Sequence, residues 1–307
     1  MTTKPKRILV VGSANMDMVV TTRRFPMPGE TVFGASFGMF PGGKGANQAV
    51  SAAKLGGHVT FVGRMGKDLF RENLSASMQR DGVEMKEVIV DPKEPTGTAL
   101  ITVDGSGQNE IVVVSGSNMR LSSADILRKR GLFRRSSILL VQLEVPVPTV
   151  GRAALLAKKS GATVILNPAP ARPLPKSLLR RIDYLTPNET ELRQLTGLSG
   201  SDRQSIVRAA RELLGQGVGN IVVTLGARGA MLVNRGGVHT FPAMRVKSVD
   251  STAAGDAFNG AFAFALAAGQ HPHAAIQFAN RVAGFSVTRM GAQSSMPRMR
   301  DLKGRFS

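Results

Sequence analysis

The chain has 307 residues, with 40 Lys and Arg against 21 Asp and Glu, a formal net charge of +19. Hydrophobic residues make up 42% and charged ones 20%, which is globular usage and excludes a disordered chain. Zero Cys excludes a disulfide framework, a thiolate zinc site and a cysteine nucleophile.

A short basic start, Lys4-Pro5-Lys6-Arg7, leads into the first predicted strand, Ile8–Val11. Gly12-Ser13 and Asp17 end this apolar stretch too early for a signal peptide, and no run approaches the ~18 residues of a membrane span. A cytoplasmic protein without a membrane partner is the expectation. Met18–Thr22 and Thr31–Phe37 read as strands, separated by Pro26, Pro28 and Gly29. Helix Gln48–Leu55 and strand Val59–Val62 follow. Thr98–Val103 and Asn109–Val114 then flank Asp104-Gly105-Ser106-Gly107-Gln108, a hairpin signal. Beyond it, strands Ile138–Leu143, Thr163–Leu166, Tyr184–Thr186 and Ile221–Leu225 alternate with helix-like Val150–Lys159 and Arg203–Leu214. The apolar helix Ala257–Ala268 comes last, and Gly56, Gly161, Gly197 and Gly215 sit where helix C-terminal glycines belong.

Near-continuous apolar strands separated by helices predict a parallel sheet covered on both faces, a single α/β domain over residues 1–307. Four strands lack intervening helices and predict a small antiparallel sheet inserted in two pieces, about 15–40 and 97–116. Such a sheet covers a site as a lid or joins two copies through its edges. The net charge raises nucleic-acid binding, but the basic residues are scattered as pairs such as Arg23-Arg24, Arg134-Arg135 and Arg180-Arg181. One Tyr and no Trp leave little surface for base stacking, so a solvated basic surface is expected and nucleic acid is not the expected partner.

Ligands of open α/β sheets bind beyond the carboxyl ends of the strands. Those ends are polar here: Ser13, Asn15 and Asp17; Gln142 and Glu144; Asn167; Asn188, Glu189 and Glu191. One such carboxylate reads as a helix cap, whereas several on one rim mark a site. Pro41-Gly42-Gly43-Lys44-Gly45-Ala46-Asn47 opens a helix with glycines, free N–H groups and a mobile cation, suited to an anion or a sugar. It is not a Walker loop, because Gly45 stands where Ser or Thr is required and no clear strand leads into it. Asp250-Ser251-Thr252-Ala253-Ala254-Gly255-Asp256 opens the last helix with small residues, an anion hole in which Asp256 reads equally as cap or as base. Thr224-Leu225-Gly226-Ala227-Arg228-Gly229 ends a strand in a tight turn. His58, His239, His271 and His273 show no metal spacing, with His271-Pro272-His273 read as a surface turn, and neither a hydrolase elbow nor a dinucleotide fingerprint is present.

The Gly42–Asn47 segment and Ala253-Ala254-Gly255-Asp256 together resemble the paired signatures of the ribokinase-like, or PfkB, sugar kinases. Gly12-Ser13-x-Asn15-x-Asp17, Pro28-Gly29-Glu30-Thr31, Gln142-Leu143-Glu144, Asn167-Pro168-Ala169-Pro170-Ala171, Thr186-Pro187-Asn188-Glu189-Thr190-Glu191 and Gly291-Ala292-Gln293 extend the resemblance almost end to end. It implies a three-layer α/β fold with a mostly parallel central sheet and a small antiparallel β lid that pairs two subunits. It implies ATP-dependent phosphorylation of the D-ribose 5-hydroxyl. The alternative acceptor is 2-deoxyribose, another pentose or a nucleoside; a catalytically inactive nucleic-acid-binding protein is the remote alternative. Under the resemblance Asp256 is the base, and Ala253, Ala254 and Gly255 complete the anion hole. Asn15, Met16, Asp17, Gly43, Lys44, Gly45, Ala46, Asn47 and Glu144 hold the sugar, and Asn188 with Glu191 places Mg2+. Thr224, Leu225, Gly226, Ala227, Arg228 and Gly229, with Asn188, Gly255 and Asn280, line the nucleotide site. Asp250, Thr252, Ser286, Arg289, Gly291 and Ser295 form a K+ loop. Asn280 replaces a His often found in the family, and Ala257 replaces a common Thr.

Overall fold

The computed structural model describes residues 6–302. The chain opens with β1 (Arg7–Val11), β2 (Asn15–Thr22), β3 (Gly34–Gly42), α1 (Lys44–Lys54) and β4 (His58–Val62). The short strand β5 (Arg64–Gly66), helix α2 (Leu69–Arg80) and short strands β6 (Val83–Glu84) and β7 (Ile89–Asp91) precede the hairpin β8 (Gly97–Val103) and β9 (Asn109–Val114). Then come α3 (Ser123–Arg128), α4 (Arg130–Phe133), β10 (Ser136–Val141), α5 (Val147–Lys159) and β11 (Thr163–Leu166). They are followed by α6 (Lys176–Leu179), β12 (Tyr184–Leu185), α7 (Glu189–Thr196), α8 (Arg203–Gly215) and β13 (Asn220–Thr224). A second hairpin, β14 (Ala230–Asn234) and β15 (Gly237–Phe241), leads to α9 (Ala254–Ala267), α10 (Pro272–Ser286) and α11 (Met299–Leu302).

Nine strands form the main sheet in the order β15-β14-β13-β12-β11-β10-β1-β4-β6. Pairing is parallel from β6 to β13, and β14 alone runs against the rest, antiparallel to both β13 and β15. β1 shows how the sequence divides the interior. Ile8 and Val10 point into one core with Val50 of α1, Phe258 and Phe262 of α9 and Ile276 of α10. Leu9 and Val11 point into the other with Ile126 of α3, Val150 of α5 and Ile206 and Leu213 of α8. Alternate side chains of one strand therefore feed two cores, which is why its sequence is apolar throughout. The result is the expected three-layer α/β fold.

β3, β2, β8 and β9 form the small sheet. Its outer pairs are antiparallel, but the central pair β2 and β8 is parallel, because the two insertions enter the sheet from the same end. The expected strand Thr31–Phe37 begins at Gly34 and continues to Gly42, so a strand does run straight into α1. It belongs to the small sheet and not to the parallel one, which is unlike a Walker loop. Gly56, Gly161 and Gly197 adopt positive φ at helix ends, whereas Gly215 is the last helical residue and Gly217 (φ +109) makes the reversal. His271 is the N-cap of α10, with Pro272 at the first helical position, and not part of a free turn.

Candidate active site

Two glycine-opened helices meet at the carboxyl edge of the main sheet. α1 begins where β3 ends, and its entry needs glycine at two successive positions. A Cβ on Gly42 would fall 2.0 Å from the Asp17 carboxylate, and one on Gly43 (φ +87) would fall 2.7 Å from the Asn15 amide nitrogen. The missing side chains let β2 and its Asn15 and Asp17 lie directly against the helix entrance. α9 begins after Ala253, which has φ 57, the one non-glycine residue with positive φ among the described residues. That strained residue turns the first N–H groups of α9 into the same space, where the helix start favours negative charge.

Asp256 stands in the first turn of α9, is 6% exposed, and makes no cap bond, so the cap reading is set aside. Its carboxylate accepts two side-chain amides: Asn47 Nδ2 at 3.0 Å and Gln48 Nε2 at 2.9 Å. Gln48 also donates to Asn167 at 3.0 Å and accepts from Gln142 at 2.6 Å. The carboxylate is thus held by a buried amide chain that crosses from α1 to β10 and β11, with its remaining lone pairs open to the cleft.

Four carboxylates surround one ammonium. Lys44 is raised above its ordinary range by Asp256 first, then Glu144, Glu191 and Asp17, against the opposing effect of burial. Glu144 accepts the Lys44 backbone N–H at 2.9 Å and the Ser13 hydroxyl. Asp17 is pushed up to about 7, chiefly by burial and further by Glu144 and Asp256, with Lys44 opposing. Glu191 is raised by burial and by Asp256, although the Asn188 amide and Lys44 pull it down.

A cleft of about 450 Å3 passes over these groups, lined by Asn15, Asp17, Gly43, Lys44, Asn47, Glu144, Asn188, Glu191, Thr224 and Ala253 to Asp256. Ala99, Ile101, Ile111 and Val113 of the small sheet form its roof, the lid position. A neighbouring cavity of about 470 Å3 shares Asn188, Thr224, Ala254 and Gly255 and continues past Gly226, Ala227, Gly229 and Asn280. Asn280 Nδ2 donates to the Phe241 carbonyl at 3.0 Å and the Pro242 carbonyl at 3.3 Å, fastening the loop after β15 to α10. The start of α9, Ala254 and Gly255, lies on the wall between the two cavities.

Some sequence-derived site residues fall elsewhere. Met16 and Ala46 are buried in the core, and Gly45 packs on the Ser13 backbone, where a Cβ would meet its nitrogen at 2.6 Å. They shape the cleft from behind without lining it. Leu225 is buried, and Arg228 pairs with Glu189, so neither lines the nucleotide-side cavity. Asn167, expected on the polar rim, lines the cleft with Thr186, whereas Gln48 and Asn259 were not expected at the site, nor were Met244, Phe258 and Val287 of the second cavity. The adjacent amides Asn47-Gln48 in a helix buried on every side were the available signal.

Asn188 and Glu191 form a reciprocal capping box at the start of α7, with Glu191 N to Asn188 Oδ1 at 2.8 Å and Asn188 N to Glu191 Oε2 at 2.9 Å. Glu191 Oε1 is left over and faces the cleft wall, one carboxylate oxygen of the kind a phosphate-bound divalent cation takes. Asp250 joins the two proposed cation segments: its carboxylate accepts Gly291 N and Thr252 N, each at 2.8 Å. Ser286 and Ser295 hydroxyls turn to the carbonyls of Ala283 and Ala292. The Arg289 guanidinium lies 4.4 Å from the Phe285 ring centroid, so its side chain is no ligand and only its backbone carbonyl is available. Carboxylate, hydroxyl and carbonyl oxygens are a hard donor set that fits a monovalent cation.

A model of the pfkB family carbohydrate kinases matches residues 5–299. The ribokinase of Haemophilus influenzae is 41% identical over 292 residues, covering 95% of each chain. The deoxyribokinase of Salmonella typhi is 40% identical over 291 residues, covering 94% of this chain and 95% of its own. The Arabidopsis thaliana ribokinase, solved in complex with ribose and ATP, superposes with a TM-score of 0.92 at 35% identity, over 99% of this chain and all of that one.

Proposed function

The chain belongs to the pfkB family of carbohydrate kinases, and on that premise we propose that it moves the γ-phosphoryl group of ATP to the 5-hydroxyl of D-ribose. The observation that carries this reading is the position of Asp256, a carboxylate clamped by two amides between a polar sugar-sized cleft and a second cavity. The sugar occupies the cleft between Asn15, Asp17, Lys44, Asn47 and Glu144, with its 5-hydroxyl toward Asp256. ATP lies in the second cavity, with its γ-phosphate at the start of α9. Asp256 takes the hydroxyl proton as the oxygen attacks phosphorus in line, and the N–H groups of Ala254, Gly255 and Asp256 receive the charge that develops on the phosphoryl oxygens. Lys44 offsets the carboxylates crowded at the sugar and remains a cation throughout, since its pKa is raised.

Glu191 and Asn188 are the residues that would place Mg2+, which when bound neutralises phosphate charge. Asp250, Thr252, Ser286, Gly291 and Ser295, with the Arg289 carbonyl, would hold K+ beside the loop that leads into α9, setting the geometry of the anion hole. The outer face of the lid carries Phe37, Met39, Leu100 and Val112, all exposed, and supports assembly as a homodimer through the lid. No helix among the described residues is long and apolar enough to cross a membrane.

A second acceptor is favoured by one observation: the deoxyribokinase relative is as similar as the ribokinases. The test is ADP release from ATP with Mg2+ and K+, comparing D-ribose, 2-deoxyribose, adenosine and fructose 6-phosphate. Preference for ribose is expected. Preference for 2-deoxyribose reassigns the sugar contacts and keeps Asp256, while equal rates in Na+ and K+ remove the monovalent site.

A further inference from the structure

The cleft has a side arm on the flank away from Asp256. A separate cavity of about 300 Å3 shares Asn15, Lys44, Glu144 and Val113 with the cleft and continues past Ser115, Asn118, Pro170 and Arg172. Neither Asp256 nor Asn47 lines it. With the 5-hydroxyl at Asp256, the arm therefore opens at the opposite end of the sugar, where C1 lies.

Two cations, Arg172 and Lys44, and one carboxylate, Glu144, line the arm. Arg172 is only partly exposed and has no ion pair or hydrogen bond among the described residues. The other positive group, Lys44, is already surrounded by carboxylates. Asn118 is spent: its Oδ1 accepts the Ala14 N–H and its Nδ2 donates to Asn15 Oδ1 at 2.7 Å. Glu144 Oε2 is likewise committed to the Lys44 N–H and the Ser13 hydroxyl. An unpaired guanidinium thus faces a space that holds no aromatic ring on which a nucleobase could stack.

We propose that this arm binds an anionic group carried on C1 of the sugar, so that a pentose 1-phosphate is also a phosphoryl acceptor. The inference rests on the sugar orientation of the proposed function. In the reaction the 5-hydroxyl oxygen bonds to the γ-phosphorus and the bond from that phosphorus to the β,γ-bridging oxygen breaks. ADP leaves with the electron pair, the hydroxyl proton passes to Asp256, and a pentose 1,5-bisphosphate forms. Arg172 grips the 1-phosphate and takes no part in the transfer.

The experiment compares kcat/KM for D-ribose and D-ribose 1-phosphate in the wild type and in Arg172→Gln, with adenosine as a third acceptor. Turnover of ribose 1-phosphate is expected, falling by about tenfold or more in Arg172→Gln while ribose changes by less than about threefold. If ribose is phosphorylated but ribose 1-phosphate is neither turned over nor competitive with it, the arm is not an anion site and the ribose reading stands. Equal losses with both acceptors in Arg172→Gln also overturn the proposal, because Arg172 then positions the sugar itself. Adenosine accepted in place of ribose 1-phosphate and unaffected by Arg172→Gln makes the arm a base pocket. Failure with ribose as well overturns the proposed function and this inference together.

Discussion

The two sheets of the molecule are built from similar residues and end in opposite states. In the main sheet, Ile8 to Val11 and Ile221 to Val223 are fully enclosed by helices on both faces. In the lid, Phe37 is 61% exposed and Val112 62%. One sheet gains its burial from its own chain. The other leaves apolar surface on both faces, Ile111 and Val113 toward the cleft and Phe37 and Val112 toward solvent, which its own chain does not cover. The main sheet therefore carries the core and one wall of the cleft while the lid supplies the roof, and substitutions separate the three.

The largest expected effect lies where the main sheet's edge meets the cleft. Asp256→Asn lowers kcat by about 10²–10⁴-fold while the dissociation constant for ribose, measured by calorimetry, changes little. Turnover near wild type would leave Asp256 a structural acceptor for Asn47 and Gln48. Next comes the core itself: Phe262, fully buried and edge-on to Tyr184 at 5.2 Å, costs about 3–5 kcal/mol of unfolding free energy when changed to Ala. Denaturant titration measures it, and a loss below about 1 kcal/mol would mean that the core collapses into the gap.

Asp17 ties the sheets together, since it stands on the cleft face of the lid with a carboxyl that titrates at about 7. Under the proposed function its ionised form is the better acceptor for sugar hydroxyls, so KM for ribose is expected to fall by about tenfold as pH rises through 7. Unliganded stability runs the other way. With the folded pKa raised from 3.8 to about 7, the folded state holds the proton longer than the unfolded one and stability declines as pH climbs across that interval. Asp17→Asn removes both slopes, and a pH profile of kcat/KM that keeps its inflection would assign it to another group. The smallest effect on stability is expected at the lid's outer face: Phe37→Ser shifts unfolding by less than about 0.5 kcal/mol yet weakens self-association in sedimentation. A large stability loss instead would mean that this face is buried within one chain.

The architecture was legible because strands enclosed on both faces read as unbroken apolar runs, as in Ile8–Val11 and Thr163–Leu166. β5, β6 and β7 escaped, since two or three residues carry no period. α10 also escaped, because a helix packed against α9 on one side and the β15 loop on another shows no clean polar face. In the site, the carboxylates and glycines announced themselves by type and position. Gln142 and Asn167 showed as rim residues, but their link through Gln48 did not, because it joins partners 94 and 119 residues apart. Met16, Gly45, Ala46, Leu225 and Arg228 lie outside the linings of both cavities: adjacency in sequence to a lining residue does not put a residue on the cavity wall.

The closeness of α1 and α9 bears on how such a site changes over generations. A Cβ on Gly260 would sit 2.5 Å from the Gln48 carbonyl, and Ser51 donates to the Ala257 carbonyl at 2.9 Å. The Gly42–Asn47 signature and the Ala253–Asp256 signature, some two hundred residues apart, are one mechanical part. A chimera that imports either segment from a relative without the helix that follows it, and without the facing stretch of the other helix, inherits a mismatched seam, whereas exchanging the two together preserves the seat of the base. Lineages that shift acceptor preference must alter the two segments in concert or leave both alone and vary the roof.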